Sequence, residues 1–143
     1  MEKLLPAAAL GHFVMKVQDV ETSYEFYASL GLRPFGTYPG MAIIELRGGT
    51  HLLLFKGDDP LSESLAESRL GQRSEFGGER LDLMIAGHAK SDLEEYRASL
   101  IEKRLLPSEI ADGTLYGHHH FSMLDPDGNG ITFYTNHCSD ELV

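Results

Sequence analysis

The sequence has one cysteine, Cys138, and no tryptophan in 143 residues. One thiol cannot build an intrachain disulfide framework, which argues for a reducing compartment; the expected localisation is cytoplasmic. Long apolar runs are missing as well. The longest fall far short of the ~18 residues a membrane helix needs, so no membrane partner is expected. The stretch Leu4–Leu10 is short, broken by Pro6 and preceded by a single lysine, so it reads as a lead-in segment and not a signal peptide. Basic charge is also scarce: 12 Lys and Arg stand against 22 Asp and Glu, a formal net charge of −10. A field of that sign repels a polyanion and excludes nucleic acid as the expected partner. No Gly-rich phosphate loop, Gly-x-Ser-x-Gly elbow or His-Glu-x-x-His helix occurs.

What remains is an ordinary globular composition, 42% apolar and 24% charged. A chain of this length buries roughly 68–70% of its unfolded surface and folds without a staple. Gly11–Val17 alternates in β-branched and aromatic residues and predicts a strand. Asp19 is placed to cap a helix over Val20–Leu30, with Val20, Tyr24, Tyr27 and Leu30 on one stripe and Gly31 at the C-terminal stop. Strands are expected at Arg33–Tyr38, Met41–Arg47 and Thr50–Lys56, with turns at Pro39-Gly40 and Gly48-Gly49. Residues 57–79 form a polar linker, with a helical turn expected around Leu61–Leu70.

The pattern then returns. A strand is expected at Arg80–Ile85, a helix opened by the capping box Ser91-Asp92-Leu93-Glu94 and running to about Lys103, then strands at Pro107–Ile110, His118–Leu124 and Gly130–Thr135. An offset of 70 superposes Ala28-Ser29-Leu30 on Ala98-Ser99-Leu100. Similarity at half the chain length points to two copies of one βαβββ unit, 9–56 and 80–136.

Gly11-His-Phe-Val-Met-Lys-Val-Gln-Asp-Val20, then Tyr24-Glu-Phe-Tyr27 and Leu30-Gly-Leu32, resembles the first strand and helix of the vicinal oxygen chelate superfamily. That superfamily holds glyoxalases, bleomycin-resistance proteins, fosfomycin-resistance enzymes and extradiol dioxygenases. Asp125-Pro-Asp-Gly-Asn129 is similar to its last hairpin, and the likeness spans about residues 9–136. The resemblance implies an α+β fold in which two βαβββ modules, each a curved mixed sheet with a flanking helix, form a cup around a small-molecule site, usually in a homodimer. It also implies a divalent metal (Mn, Fe, Zn or Ni) held by His and Glu side chains.

His12 matches the first-strand ligand. The second-module position falls on Arg80 by gap-free matching and on Asp82 by the 70-residue offset; both share one strand face. Asp82 can ligate a metal through oxygen, whereas Arg80 repels a metal and suits an anionic group. The last-strand glutamate is replaced by Thr132, and the first-half counterpart falls near Leu54, so the ligand set is incomplete. The metal site this implies is atypical: His12 and Asp82 are the candidate ligands, with His120 as the alternative partner of His12. His118-His119-His120 is the densest polar cluster; alternation sets His118 and His120 beside Ser122, opposite Phe121 and Met123, as candidates for acid–base work. Arg80, Ser122, Thr132 and Tyr134 are the candidate ligand-binding residues. Asp125-Pro126-Asp127-Gly128 has the residue order of a type I turn and reads as structural. His137-Cys138 lacks a second ligand pair.

Two expectations compete. One is lyase, isomerase or dioxygenase chemistry on a small oxygen-rich molecule, supported by the histidines. The other is sequestration of a cationic, antibiotic-like ligand without turnover, supported by the missing ligands and the net charge.

Overall fold

In the computed structural model, residues 4–56, 76–115 and 118–135 are described. The chain divides into two compact units, Met1–Gln72 and Arg73–Val143. The expected helical turn near Leu61–Leu70 and the pair His137-Cys138 lie outside the described residues.

Unit 1 is βαβββ: β1 (His12–Val17), α1 (Val20–Ser29), β2 (Arg33–Tyr38), β3 (Met41–Glu45) and β4 (His51–Lys56). Its sheet order is β1-β4-β3-β2, with β1 parallel to β4 and the other pairs antiparallel. Asp19 caps α1 by accepting from the Thr22 amide at 2.8 Å, and that bond holds its carboxyl below the ordinary value. Gly31 ends the helix at φ +89°, where a side chain would be strained. The buried stripe of α1 is Ser23, Tyr27 and Leu30; Val20 and Tyr24 sit at its half-buried margins. It covers Met15, Val17, Ala42, Ile44, Leu52 and Leu54, every second residue of three strands.

Unit 2 repeats the order: β5 (Arg80–Met84), α2 (Lys90–Glu102), β6 (Ala111–Leu115), β7 (His118–Leu124) and β8 (Gly130–Tyr134). The sheet order is β5-β8-β7-β6, again with the first and last strands parallel. Leu93, Tyr96 and Leu100 of α2 meet Leu81, Phe121, Met123, Ile131 and Phe133. Burial pushes the Tyr96 phenol up to about 12, so it packs as a neutral ring at physiological pH.

Two local expectations need correction. The helix cap is Ala89, not Ser91; Asp92 makes the reciprocal half of the box by accepting from the Ala89 amide at 3.1 Å. The strand expected at Pro107–Ile110 forms at Ala111–Leu115 instead. Ser108 Oγ takes the Ser122 amide at 2.9 Å, so a side chain occupies a bond that a regular ladder would give to a carbonyl. No described helix is long and apolar enough to cross a membrane.

Candidate functional site

The parallel pairing of β5 with β8 aligns Arg80 with Gly130, Asp82 with Thr132 and Met84 with Tyr134. The antiparallel pairing of β7 with β8 then sets Ser122 beside Thr132 and His120 beside Tyr134. Alternation sends these side chains away from α2, because Leu81, Phe121, Ile131 and Phe133 occupy the helix side. A cleft of about 520 Å³ opens on this face, with Arg80, His120, Ser122, Thr132 and Tyr134 in its wall and Met123 and Leu124 as apolar lining.

Arg80 is held at two points: Nε donates to Asp82 Oδ1 at 2.8 Å and Nη2 donates to the Tyr134 hydroxyl at 2.9 Å. Asp82 and then Tyr134 raise the guanidinium above its ordinary value. The Ser122 and Thr132 hydroxyls pair at 2.9 Å. The His120 ring lies over Tyr134 at 5.7 Å. Its Nδ1 faces the His118 carbonyl at 3.5 Å, a geometry that suits a proton on Nδ1 because a carbonyl only accepts.

The five lining residues named above are thus brought together in one cleft. His118 lies behind the wall: it is buried, its ring meets Tyr134 edge-on at 5.6 Å, Nδ1 donates to the Thr135 carbonyl at 3.2 Å, and it is not among the lining residues. Asp82 shares the sheet face but is taken up by Arg80. His119 turns to the other side, to Asp112 at 3.1 Å. Asp125 and Asn129 anchor the hairpin that delivers β8, and Asn129 Oδ1 accepts from the Glu79 amide at 3.0 Å next to Arg80.

On unit 1, His12 lies on the face away from α1, exposed and in register with His51 of β4. The two imidazoles stack at 6.0 Å, and Phe35 lies 5.3 Å from His51 on its other side. Glu45 accepts from His51 Nε2 at 3.2 Å and from Arg33 Nη1 at 2.9 Å. Sequence reading singled out His12 but missed His51, Glu45 and Arg33, which complete its row. The available signal was parallel register: a strand opening at His51 beside one opening at His12. Leu54 is buried under α1, so the β4 residues on the far face are His51, Leu53 and Phe55.

Glu45 is held below its ordinary 4.5, first by the His51 bond and then by Arg33. A depressed carboxyl stabilises the fold above the unfolded value and loses that contribution as pH falls through the folded one. Glu45→Gln is therefore expected to flatten the fall in melting temperature of the protein between about pH 6 and pH 3. Parallel wild-type and variant curves would show the row to be energetically idle.

The donor set decides how a divalent ion fits. Arg80 opens β5 as His12 opens β1, so the structural match puts a guanidinium, not Asp82, at the second-module ligand position. Thr132 is bound to Ser122, Asp82 to Arg80, and Glu45 to Arg33 and His51. Among the described residues, no three His, Cys, Asp or Glu side chains converge to hold a metal. These residues do not fit the ion.

Comparison with known proteins gives a consistent fold. The family model for the Glyoxalase/Bleomycin resistance protein/Dioxygenase superfamily matches residues 9–133. Among solved structures, a lactoylglutathione lyase from Agrobacterium tumefaciens is similar with a TM-score of 0.69 at 18% identity, covering 92% of this chain and 96% of that one. The oxidase ChaP-H2 is similar with a TM-score of 0.67 at 16% identity, over 94% of this chain and 100% of that one. An integron cassette protein from the mobile metagenome of V. cholerae is similar with a TM-score of 0.69 at 21% identity, over 94% and 99%. No curated protein matches the sequence.

Proposed function

Since the chain belongs to the Glyoxalase/Bleomycin resistance protein/Dioxygenase superfamily, we propose that it binds a small oxygen-rich organic molecule in the unit 2 cleft and acts on it by proton transfer. The observation that carries this is the convergence of Arg80, His120, Ser122, Thr132 and Tyr134 on one wall of the cleft. Arg80 and Tyr134 supply donors for ligand oxygens, the paired hydroxyls of Ser122 and Thr132 add exchangeable bonds, and His120 Nε2 is the base. The reaction class is lyase or isomerase, because those need proton movement at a carbon or oxygen and the residues offer it. A homodimer is part of this reading.

Sequestration without turnover is the second reading, and the mutual Ser122–Thr132 bond favours it, since a satisfied hydroxyl pair binds without reacting. Arg80 on the wall argues against a cationic ligand at this cleft. Amide and side-chain NMR of the full chain, titrated with a panel of small oxygenated acids, ketones and phenols, tests both. Shifts centred on His120, Ser122, Thr132 and Tyr134 are expected. Under the enzyme reading His120→Gln keeps affinity within a few fold and lowers turnover by about 10²-fold or more. Shifts confined to other surfaces would overturn the cleft as the site.

A further inference from the structure

The mismatch between this donor set and a divalent ion has a positive counterpart. We infer that Arg80 is the fixed cation of the unit 2 cleft and that the ligand is a small carboxylic acid carrying an oxygen on the neighbouring carbon, a 2-hydroxy or 2-oxo acid. The inference rests on the cleft being the binding site and adds the substrate class.

A guanidinium carries five N–H donors, which lie in one plane. Nε is spent on Asp82 and one Nη2 hydrogen on Tyr134. Among the described residues Nη1 has no partner, so the outer edge of the fork, Nη1 with the second Nη2 hydrogen, remains open. Two anchors fix the plane of that edge, and a planar edge with two parallel N–H groups matches a carboxylate at both oxygens. Tyr134 completes the pattern. Its oxygen accepts from Arg80, and a guanidinium never accepts in return, so the phenol proton must go elsewhere. No described residue takes it, and Tyr134 lines the cleft. A third donor therefore stands next to the carboxylate fork, where an oxygen on the adjacent carbon would sit.

Charge narrows the class further. Asp82 already neutralises Arg80, and the chain carries a net −10. Both disfavour a dianion such as phosphate about twice as strongly as a monoanion, whose directional hydrogen bonds to the fork offset the smaller repulsion. The cleft of about 520 Å³ is much larger than a three-carbon acid, and the exposed Leu124, on the same strand face as His120 and Ser122, offers the rest of the ligand an apolar surface. An aryl- or alkyl-substituted 2-hydroxy acid matches the Arg80 fork, the Tyr134 hydroxyl and the apolar surface together.

The test is calorimetry and NMR titration of the full chain with mandelate, mandelamide and phenylacetate, all in excess EDTA. The amide removes the charge and phenylacetate removes the neighbouring oxygen. Mandelate is expected to bind several-fold more tightly than either. Arg80→Lys, which keeps the charge but loses the fork, is expected to weaken mandelate by about tenfold or more. Tyr134→Phe removes both the third donor and one of the two anchors of Arg80; it is expected to erase the preference for mandelate over phenylacetate while weakening phenylacetate by no more than a few fold, and it serves even if the Arg80 variant misfolds. Equal binding of mandelate and mandelamide in the cleft would overturn the inference and leave the cleft reading standing. So would binding that EDTA abolishes and Mn²⁺ or Zn²⁺ restores. If none of the three compounds perturbs His120, Ser122 or Tyr134, the cleft reading falls and this inference with it.

Discussion

Phe133→Ala is expected to lower the stability of the protein by about 3–5 kcal/mol, the cost of a large ring removed from a site that cannot collapse. Phe133 is 1% exposed, and its ring lies 5.1 Å from Phe121 and 5.0 Å from Tyr96. The substitution removes both aromatic contacts and leaves a cavity between β7, β8 and α2, the elements that hold His120, Ser122, Thr132 and Tyr134 in register. At about 2–4 °C per kcal/mol for a chain of this size, the melting temperature should fall by roughly 10 °C, read by circular dichroism. Phe133→Leu, which keeps most of the volume, should cost much less. A loss below about 1 kcal/mol for the alanine variant would mean that α2 does not depend on this ring to dock.

The second large effect is expected at Asp125. Its carboxylate is buried and accepts from the Asp127 amide at 2.9 Å, the Asn129 amide at 2.8 Å and Asn129 Nδ2 at 2.9 Å. Alanine would leave three donors without an acceptor in the hairpin that feeds β8. A cost of about 3 kcal/mol follows from removing a charged acceptor from buried partners. Asp125→Asn keeps Oδ1 as an acceptor and should recover about half of it. Because Asn129 also ties the hairpin to the Glu79 amide, the alanine variant should disturb Arg80 as well, visible as shifted NMR signals for Arg80 and Tyr134. Denaturant titration yielding equal stabilities for both variants would show that the carboxylate's bonds are replaced by water at no cost.

Both effects act on residues whose roles are unequally legible in the sequence. Asp125-Pro-Asp-Gly-Asn announces its turn because each residue type has a local backbone reason to be there: the Gly128 amide bonds the Asp125 carbonyl at 3.1 Å and Gly128 takes φ +87°. The alternation of Phe121 and Met123 against His120 and Ser122 is equally local, and the structure follows it. The helix start and the Pro107–Ile110 strand fall elsewhere for different reasons. The cap moves to Ala89 because Asp92 bonds that amide locally, whereas the strand start depends on bonds to distant chain, Ser108 to Ser122 above all.

Composition, alternation and half-length similarity are properties of neighbouring residues, and they sufficed for the paired βαβββ organisation, the apolar side of each strand and the list of polar side chains opposite. They could not say whether Arg80 or Asp82 stands where His12 does, nor that His118 leaves the cleft wall while His120 stays in it. Nor could they reveal the His12, His51, Glu45 and Arg33 row. Those outcomes turn on register between strands many residues apart, and the pairings of β1 with β4 and of β5 with β8 join the first and last strands of each unit. A slip of one residue there reverses every side chain, and what prevents it is the packing of whole sheet faces against α1 and α2.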